Sequence, residues 1–147
     1  MSNNLLTYKK VSSIIYSKII WKINNDKEAR RYSQNKKSVS YQHHLKWFKQ
    51  TIKENKESIY LVKKNKKIIG IIRHKKVKNK LFLSWALLKK FRGKNYGTRL
   101  VKEFVKKNKI AFFAEVHKLN IKSIKICKKV GFKFLRKKND FLIFKKS

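Results

Sequence analysis

Three short apolar runs in the middle of the chain constrain its fold more than any other feature. They are Ile59–Val62, Ile68–Ile72 and Leu81–Leu88, and each is rich in β-branched or aromatic side chains. The lysine-rich segments between them contain Asn65 and Asn79. Because asparagine adopts the left-handed backbone conformation more readily than most non-glycine residues, each segment can reverse the chain. The pattern therefore predicts an antiparallel meander of three strands.

Apolar residues recur at helical spacing in four other segments. The first stripe ends at Asn24 and Asn25, and Ser40 is a suitable N-cap for the second. The third follows Gly97, and the fourth stops at Gly131, since glycine commonly stands just past a helix end. The stripes are formed by Val11, Ile15, Ile19, Ile20 and Ile23; by Tyr41, Leu45, Phe48 and Ile52; by Leu100, Val101, Phe104 and Val105; and by Ile121, Ile124, Cys127 and Val130.

Further strands are predicted outside the meander. Leu5–Tyr8 and Ala111–Val116 are two of them, and Phe132–Leu135 with Phe141–Phe144 forms a final hairpin around Asn139. The predicted order is β α α β β β α β α β β. We find no internal repeat and no linker, so the sequence predicts one mixed α/β domain over residues 1–147.

The net charge of +35 has two explanations. Lysines neutralise phosphates, which favours binding to nucleic acid. However, the 36 lysines outnumber the six arginines, whereas dedicated phosphate and base contacts favour arginine. The abundant residues also have AT-rich codons, so codon usage alone can produce this composition. In either case the surface should bind polyanions non-specifically at low salt.

Several protein classes are excluded by simple counts. The chain has one cysteine, so it has no internal disulfide and cannot form most zinc modules. The longest apolar stretch, Leu81–Leu88, is far shorter than the roughly 20 residues of a membrane span. The N-terminus lacks the apolar segment of a secretory signal. We therefore expect a cytoplasmic protein.

The segment Arg92–Thr98, with the sequence RGKNYGT, follows the third strand of the meander and opens a helix. At such a position unpaired backbone N–H groups and the helix dipole both favour an anion. Glycines allow a pyrophosphate to approach the main chain closely. By itself the segment is weak evidence, because many glycine pairs only form a tight turn.

A second segment, Asn120–Phe132, begins 23 residues after Gly97. Together the two segments resemble the GNAT family of acetyl-CoA-dependent N-acetyltransferases. The family's first signature is Arg/Gln-x-x-Gly-x-Gly/Ala, and its second is close to Asn-x-x-Ser/Ala-x-x-x-Tyr-x-Lys-x-Gly-Phe. The resemblance implies the GNAT fold, an α/β (α+β) fold in which about four helices flank a central, mostly antiparallel mixed sheet of about seven strands.

Two residues depart from these signatures. Asn95 replaces the usual glycine, and asparagine can still adopt the left-handed turn. Cys127 stands where many members have the tyrosine that protonates the thiolate of coenzyme A. A thiol could donate that proton, but a buried cysteine is also an ordinary small apolar residue.

The resemblance implies which residues bind acetyl-CoA. The backbone of Arg92–Thr98 would hold the pyrophosphate, Leu87 and Leu88 would pair with the pantetheine arm, and the Leu88 N–H would polarise the thioester carbonyl. The alternatives are ordinary strand packing for the two leucines, helix capping for Asn120, and a solvated helix face for Ser123 and Lys129. The implied set is Leu87, Leu88, Arg92, Gly93, Lys94, Asn95, Tyr96, Gly97, Thr98, Asn120, Ser123 and Lys129.

The N-terminal half resembles the GNAT branch that acetylates UDP-linked 4-amino-4,6-dideoxy sugars. The resemblance rests on Trp21–Arg30, Ser33 and Val39–Phe48, and Glu115–His117 adds to it. Ribosomal-protein acetyltransferases share part of the pattern. The implied acceptor is therefore the 4-amino group of an anionic nucleotide sugar, with a protein N-terminus or another small amine as alternatives.

Candidate acceptor contacts follow from this branch. His44 and Trp47 share one helix face, although His43 is equally well spaced to pair with Trp47. A tryptophan ring can stack on a sugar or base. Arg30 is the first candidate for a phosphate and Arg73 the second, with a surface ion pair as the alternative for both.

Glu115 and His117 alternate onto one face of their strand. Either could deprotonate the acceptor ammonium, directly or through a water, or could serve a structural role. With Leu88 and Cys127 they complete the candidate catalytic set. We expect direct transfer in a ternary complex, with no metal and no covalent acetyl-enzyme; a homodimer is compatible with the resemblance.

One alternative belongs to another functional class. A module bound to nucleic acid or the ribosome could retain the GNAT frame without turnover. The charge of +35 and the missing tyrosine favour that alternative. Sequence-selective RNA binding that persists above about 0.2 M salt would distinguish it from merely electrostatic binding.

Overall fold

The computed structural model describes residues 5–55 and 57–147. Seven strands and five helices follow one another within these ranges. The strands are β1 Thr7–Lys10, β2 Glu57–Lys64, β3 Lys67–Val77, β4 Lys80–Leu87, β5 Phe112–His117, β6 Lys133–Lys138 and β7 Phe141–Lys146. The helices are α1 Ser17–Asn24, α2 Lys27–Arg31, α3 Tyr41–Glu54, α4 Tyr96–Lys107 and α5 Ile121–Val130.

The strands form one sheet in the order β1-β2-β3-β4-β5-β7-β6. Neighbouring strands are antiparallel except β4 and β5, which run parallel. The predicted meander is therefore confirmed as β2, β3 and β4. The mixed α/β class and the seven strands are confirmed as well.

Two apolar clusters fix the helices against opposite faces of the sheet. α1 and α3 cover one face, with Phe48 fully buried at the centre of their cluster. α4 and α5 cover the other, where Leu100, Phe104 and Cys127 pack against the strands. Strand residues alternate between the clusters, as Ile59 and Leu61 do against Val62.

Asparagine residues take the place of glycine in the turns. Asn65, Asn79, Asn95 and Asn139 all have φ between 50° and 65°. This is the left-handed conformation that the sequence predicted for Asn65, Asn79 and Asn95. It lets a chain with only four glycines close its hairpins.

Four local features differ from the sequence prediction. The first predicted helical stripe is helical only in part, because α1 begins at Ser17, Val11 precedes it and Ile15 is 76% exposed. A short additional helix, α2, begins at Asp26, whose Oδ2 accepts hydrogen bonds from the Glu28 and Ala29 backbone N–H groups. α4 begins at Tyr96, so Gly97 lies in its first turn. The pairing of β2 with β3 shifts between Val62 and Lys63, which is a β-bulge on the β3 side next to Gly70.

None of the helices in the described part of the chain has the length and apolar character needed to cross a membrane.

Candidate active site

A cleft opens between the two parallel strands. β4 and β5 pair only at Phe82 and Phe113 within the described ranges, and beyond that point they separate. The cleft has a volume of about 890 Å³ and is lined from both strands, from α3 and α5, and from the segment between α1 and α3. It is large enough for a cofactor-sized ligand.

The backbone of β4 offers N–H groups to this cleft, but Leu88 is not among them. The Leu88 N–H donates to the Ile69 carbonyl of β3 at 2.9 Å, so our assignment of Leu88 as the polarising donor is corrected. Residues of an antiparallel pair alternate in the side to which they point. Leu87 and Trp85, one and three residues earlier, therefore direct their N–H groups away from β3 and towards the cleft, and both residues line it.

The start of α4 forms one end of the cleft. Gly93 and Asn95 have φ of 77° and 65°, and the Asn95 side chain makes no capping hydrogen bond to the helix. The first-turn N–H groups are therefore left for a ligand. Gly93, Asn95, Tyr96, Gly97 and Thr98 line the cleft, whereas the exposed Lys94 lies outside its lining.

The N-terminal half of α5 faces the same end. Asn120 Oδ1 accepts the Ser123 backbone N–H at 3.2 Å, so Asn120 caps the helix, and both residues line the cleft. Lys129 lines it together with Lys122 and Lys125, which sequence reasoning missed. The basic face of α5 could have indicated these two lysines, but lysine is so frequent in this chain that the face does not stand out.

Cys127 lies in the core rather than in the cleft. It is fully buried, and burial raises the pKa of its thiol to about 12. Its side chain packs among Leu100, Phe104 and Phe132, away from the cleft lining. The geometry therefore favours the packing role over the general-acid role that we considered for Cys127.

Glu115 and His117 both face the cleft from β5, as their alternation predicted. Glu115 is partly exposed, and its Oε1 accepts a hydrogen bond from Gln34 Nε2. His117 is buried, and its Nδ1 accepts the Leu119 backbone N–H at 3.1 Å. A neutral His117 must therefore carry its proton on Nε2 and can only donate there. Of these two β5 residues, Glu115 is therefore the one that can accept a proton.

α3 settles which of its two histidines points inward. His44 is 5% exposed and its Nε2 lies 3.1 Å from the Ser17 carbonyl of α1, whereas His43 is exposed. Trp47 is half-buried beside His44, at 5.5 Å between ring centroids. All three residues line the cleft. The hydrogen bond assigns His44 a structural role and leaves Trp47 as the flat contact surface.

His44 makes stability depend on pH. Burial lowers its pKa, and Arg73 adds to the shift against the opposing effect of the Ser17 carbonyl. An unfolded histidine titrates near pH 6.5, so stability is full above that pH and falls below it. We expect the melting temperature of the wild type to fall between pH 8 and pH 5.5 by more than that of His44→Gln, since glutamine retains a donor for Ser17. His43→Gln is the control and should follow the wild type; equal slopes in all three proteins would contradict the assignment.

The two candidate phosphate ligands are held by other groups. Arg30 donates from Nε to the Lys37 carbonyl at 3.0 Å and from Nη2 to the Asn35 carbonyl at 2.5 Å. Arg73 donates to Ser84 Oγ at 2.9 Å and lies 3.8 Å from Glu57. Both line the cleft, so each can meet a ligand only with the donors that these contacts leave.

Several aromatic and acidic residues of the cleft were not among our candidates. Trp21 donates from its indole to the Val39 carbonyl at 2.7 Å, and Tyr32 lies against His117. Trp85 and Glu57 complete this group. Trp21 belongs to the N-terminal pattern described above, but neither Trp85 nor Glu57 carries a sequence signal that would separate it from strand packing.

The described residues contain no group of three or more histidine, cysteine, aspartate or glutamate side chains able to hold a metal ion. The cleft therefore offers backbone donors, the carboxylates of Glu57 and Glu115, and flat aromatic surfaces. These groups suit the binding of an extended anion at one end and an amine at the other.

Comparison with known proteins agrees with this chemistry. A family model described as an acetyltransferase (GNAT) domain matches residues 16–133. No curated protein sequence matches the chain.

Three solved structures share the fold. One is RimL, a ribosomal L7/L12 alpha-N-protein acetyltransferase in complex with coenzyme A, with TM-score 0.79 and 10% identity over 99% of this chain and 96% of that one. Another is spermidine N-acetyltransferase from Vibrio cholerae with CoA and spermine, with TM-score 0.76 and 16% identity over 97% and 94%. The third is the Campylobacter jejuni N-acetyltransferase PseH with acetyl coenzyme A, with TM-score 0.74 and 20% identity over 97% and 99%.

Proposed function

Since this chain belongs to the GNAT acetyltransferase family, whose model matches residues 16–133, we propose that it acetylates the 4-amino group of a UDP-linked amino-dideoxy sugar. That the protein is an acetyl-CoA-dependent N-acetyltransferase follows from the family and from the structures that share its fold. The sugar acceptor is the part that we propose. The observation that carries it is the grouping of Trp21, Trp47 and Glu115 around one cleft with the α4 N-terminus.

Acetyl-CoA fits the end of the cleft formed by α4 and α5. The uncapped first turn of α4, between Gly93 and Thr98, presents N–H groups to a pyrophosphate. Lys122, Lys125 and Lys129 add positive charge from α5. The open edge of β4 at Trp85 and Leu87 can pair with the pantetheine amides as an added strand would.

Two groups of this chain would act on the reacting atoms. Acetyl-CoA supplies the acetyl group as a thioester. The Leu87 N–H, directed into the cleft, would donate to the thioester carbonyl and stabilise the negative charge that develops on its oxygen. Glu115 would take a proton from the acceptor ammonium, so that a neutral amine attacks. Cys127 takes no part, because it is fully buried in the core.

Aromatic residues support the nucleotide-sugar acceptor. Trp21 on α1, Tyr32 between α2 and α3, and Trp47 on α3 all line the cleft. Flat rings of this kind stack on sugars and on bases. Arg73 and Arg30 line the same cleft, where their remaining donors can meet a diphosphate.

A second acceptor class is favoured by a different observation. The lysines that line the cleft, within the described residues, are all on α5, although the chain contains 36 of them. Away from α5 the cleft is lined by three glutamates and three arginines, so its lysine-free part has no excess of either charge. Glu57 Oε2, however, is buried and has no hydrogen-bond partner in the described chain beyond the 3.8 Å ion pair with Arg73. A buried carboxylate oxygen without a partner favours a cationic amine such as a polyamine or an aminoglycoside.

We expect acetyl-CoA to raise the melting temperature by roughly 5–10 °C at about 0.2 M salt. The figure follows from a stabilisation of about 2.7 kcal/mol at 100 times the dissociation constant. ATP serves as the polyphosphate control, because a surface of charge +35 could bind any polyanion. Equal shifts with both ligands would contradict a specific coenzyme site.

The acceptor is then identified by following the release of coenzyme A with a thiol reagent. A panel contains a UDP-4-amino-4,6-dideoxy sugar, spermidine, an aminoglycoside and a peptide with a free N-terminus. Turnover of the UDP-amino sugar with the highest kcat/KM supports the proposal. Preference for spermidine or the aminoglycoside supports the cationic class, and preference for the peptide overturns both.

A further inference from the structure

We propose that Arg92 is a positioning residue that ties the end of strand β4 to the wall of the acceptor site, rather than a ligand of the coenzyme phosphates; the proposal rests on the proposed function. The Arg92 guanidinium would thereby hold the end of β4, where the thioester would bind, in a fixed position relative to α2, which borders the acceptor site. The sequence placed the backbone of Arg92 in the coenzyme loop, and Arg92 does line the cleft, but its guanidinium is engaged by groups of the protein itself.

The contacts of Arg92 are made with three separate groups. Nη2 donates to Asp26 Oδ2 at 2.8 Å and to the Leu87 carbonyl at 3.0 Å, and Nη1 donates to Glu28 Oε2 at 2.9 Å. The side chain is only 20% exposed. A planar fork of fixed geometry holds such partners in a defined arrangement, which lysine cannot do.

The charges around Arg92 make it a poor phosphate ligand. Two of the seven acidic residues in the chain are directed at this one guanidinium. Glu28 also lies 3.3 Å from Lys122. With two carboxylates in contact, Arg92 offers no net positive charge to a pyrophosphate. The lysines of α5 remain as the cationic groups at that end of the cleft.

A continuous series of contacts leads from Arg92 to the proposed base. Asp26 caps α2, and the Ala29 carbonyl of α2 accepts the Ser33 hydroxyl at 2.8 Å. The next residue, Gln34, donates to Glu115. Burial opposes ionisation of Asp26, but its hydrogen bonds from Arg92 and from the α2 backbone outweigh burial and lower its pKa. Leu87 at one end of the series and Glu115 at the other are the two groups assigned to the reaction.

The test compares variants whose acetyl-CoA affinity and kcat/KM should change differently if Arg92 is a positioning residue than if it is a phosphate ligand. Arg92→Gln removes the fork, Arg92→Lys keeps the charge without the fork, and Asp26→Asn keeps the α2 cap but removes one partner. The dissociation constant of acetyl-CoA is measured by calorimetry, and kcat and KM are measured with the best amine of the panel. Arg99→Gln is the matched control, since Arg99 pairs with Glu103 on α4 at 3.2 Å.

A positioning role predicts that Arg92→Gln, Arg92→Lys and Asp26→Asn each lower kcat/KM for the amine by roughly 10- to 100-fold. The acetyl-CoA dissociation constant should stay within about threefold of the wild type, because β3 still holds the end of β4 in these variants and only α2 loosens. The double variant Arg92→Gln/Asp26→Asn should have the same kcat/KM as either single variant, because both substitutions remove the same ion pair. Arg99→Gln should change neither quantity. A phosphate ligand would instead give weaker coenzyme binding in Arg92→Gln, tighter binding in Asp26→Asn and near-normal behaviour in Arg92→Lys, which overturns the proposal.

Hydrogen exchange provides a readout that needs no acceptor. We expect faster exchange in α2 and in residues 32–34 of both Arg92→Gln and Asp26→Asn, with α4 unchanged. Unchanged exchange in α2 would overturn the positioning role. A wild type that acetylates no amine would instead refute the proposed function, so the two failures are distinguishable.

Discussion

Replacing Glu115 by glutamine is expected to lower kcat by about 10²- to 10⁴-fold, the usual contribution of a general base. Glutamine keeps the size of the side chain and a hydrogen-bonding partner for Gln34, but it cannot accept a proton. The acetyl-CoA dissociation constant should be unchanged, because Glu115 lies on β5 away from the α4 N-terminus. Steady-state kinetics with the acceptor found in the panel, and calorimetry with acetyl-CoA, measure the two quantities.

A matched variant separates loss of the proton acceptor from loss of a negative charge. Glu54→Gln makes the same charge change at an exposed position on α3 and should keep the wild-type kcat. Gln34→Ala should cause only a modest loss of kcat, since the carboxylate of Glu115 remains. If Glu115→Gln retains most of kcat, the base is another group.

Local features of the fold were predictable from short stretches of sequence. Ser40 accepts the His43 backbone N–H, as expected of an N-cap, and Gly131 ends α5 with φ of 103°. The left-handed turns at Asn65 and Asn79 were predicted in the same way. Each of these outcomes depends on the conformational preference of one residue and its immediate neighbours, so no long-range information is needed.

Features that depend on distant pairing were not predictable. In the described chain, β4 and β5 meet at one pair, Phe82 and Phe113, which are 31 positions apart in the sequence. The bulge beside Gly70 depends on how β2 and β3 align. α2 is held by Arg92, which lies more than 60 residues further along. No apolar periodicity encodes such contacts.

In the candidate site, too, the sequence predicted which residues take part but not the directions in which their groups point. Resemblance placed Leu87 and Leu88 together at the end of β4, but only the sheet shows that Leu88 donates to Ile69 and Leu87 faces the cleft. A shift of one residue reverses the side to which a strand residue points. Arg92 is a similar case: its position in the loop was predicted, whereas its two carboxylate partners lie in a distant segment.

Gly70→Ala is expected to destabilise the protein by about 1–3 kcal/mol and to weaken acetyl-CoA binding. Gly70 lies opposite Leu87 at the bulge, and a Cβ there would overlap the Ala86 carbonyl oxygen and lie 3.1 Å from Leu87 Cα. Because both contacts are backbone atoms, the end of β4 must move, and the Leu87 N–H moves with it. Denaturant unfolding and calorimetry with acetyl-CoA measure the two effects.

Gly93→Ala is the comparison that isolates the steric cause. A Cβ at Gly93 would meet no atom within 4 Å, but φ of 77° imposes a conformational cost of roughly 1–2 kcal/mol on alanine. Gly93→Ala should therefore lose stability through backbone strain alone and leave β4 in place. Gly70→Ala should in addition shift the Trp85 fluorescence, since β4 carries that residue next to the displaced backbone. If Gly70→Ala is as stable as the wild type and binds acetyl-CoA equally well, β3 does not hold the end of β4 in the position that we assign to thioester binding.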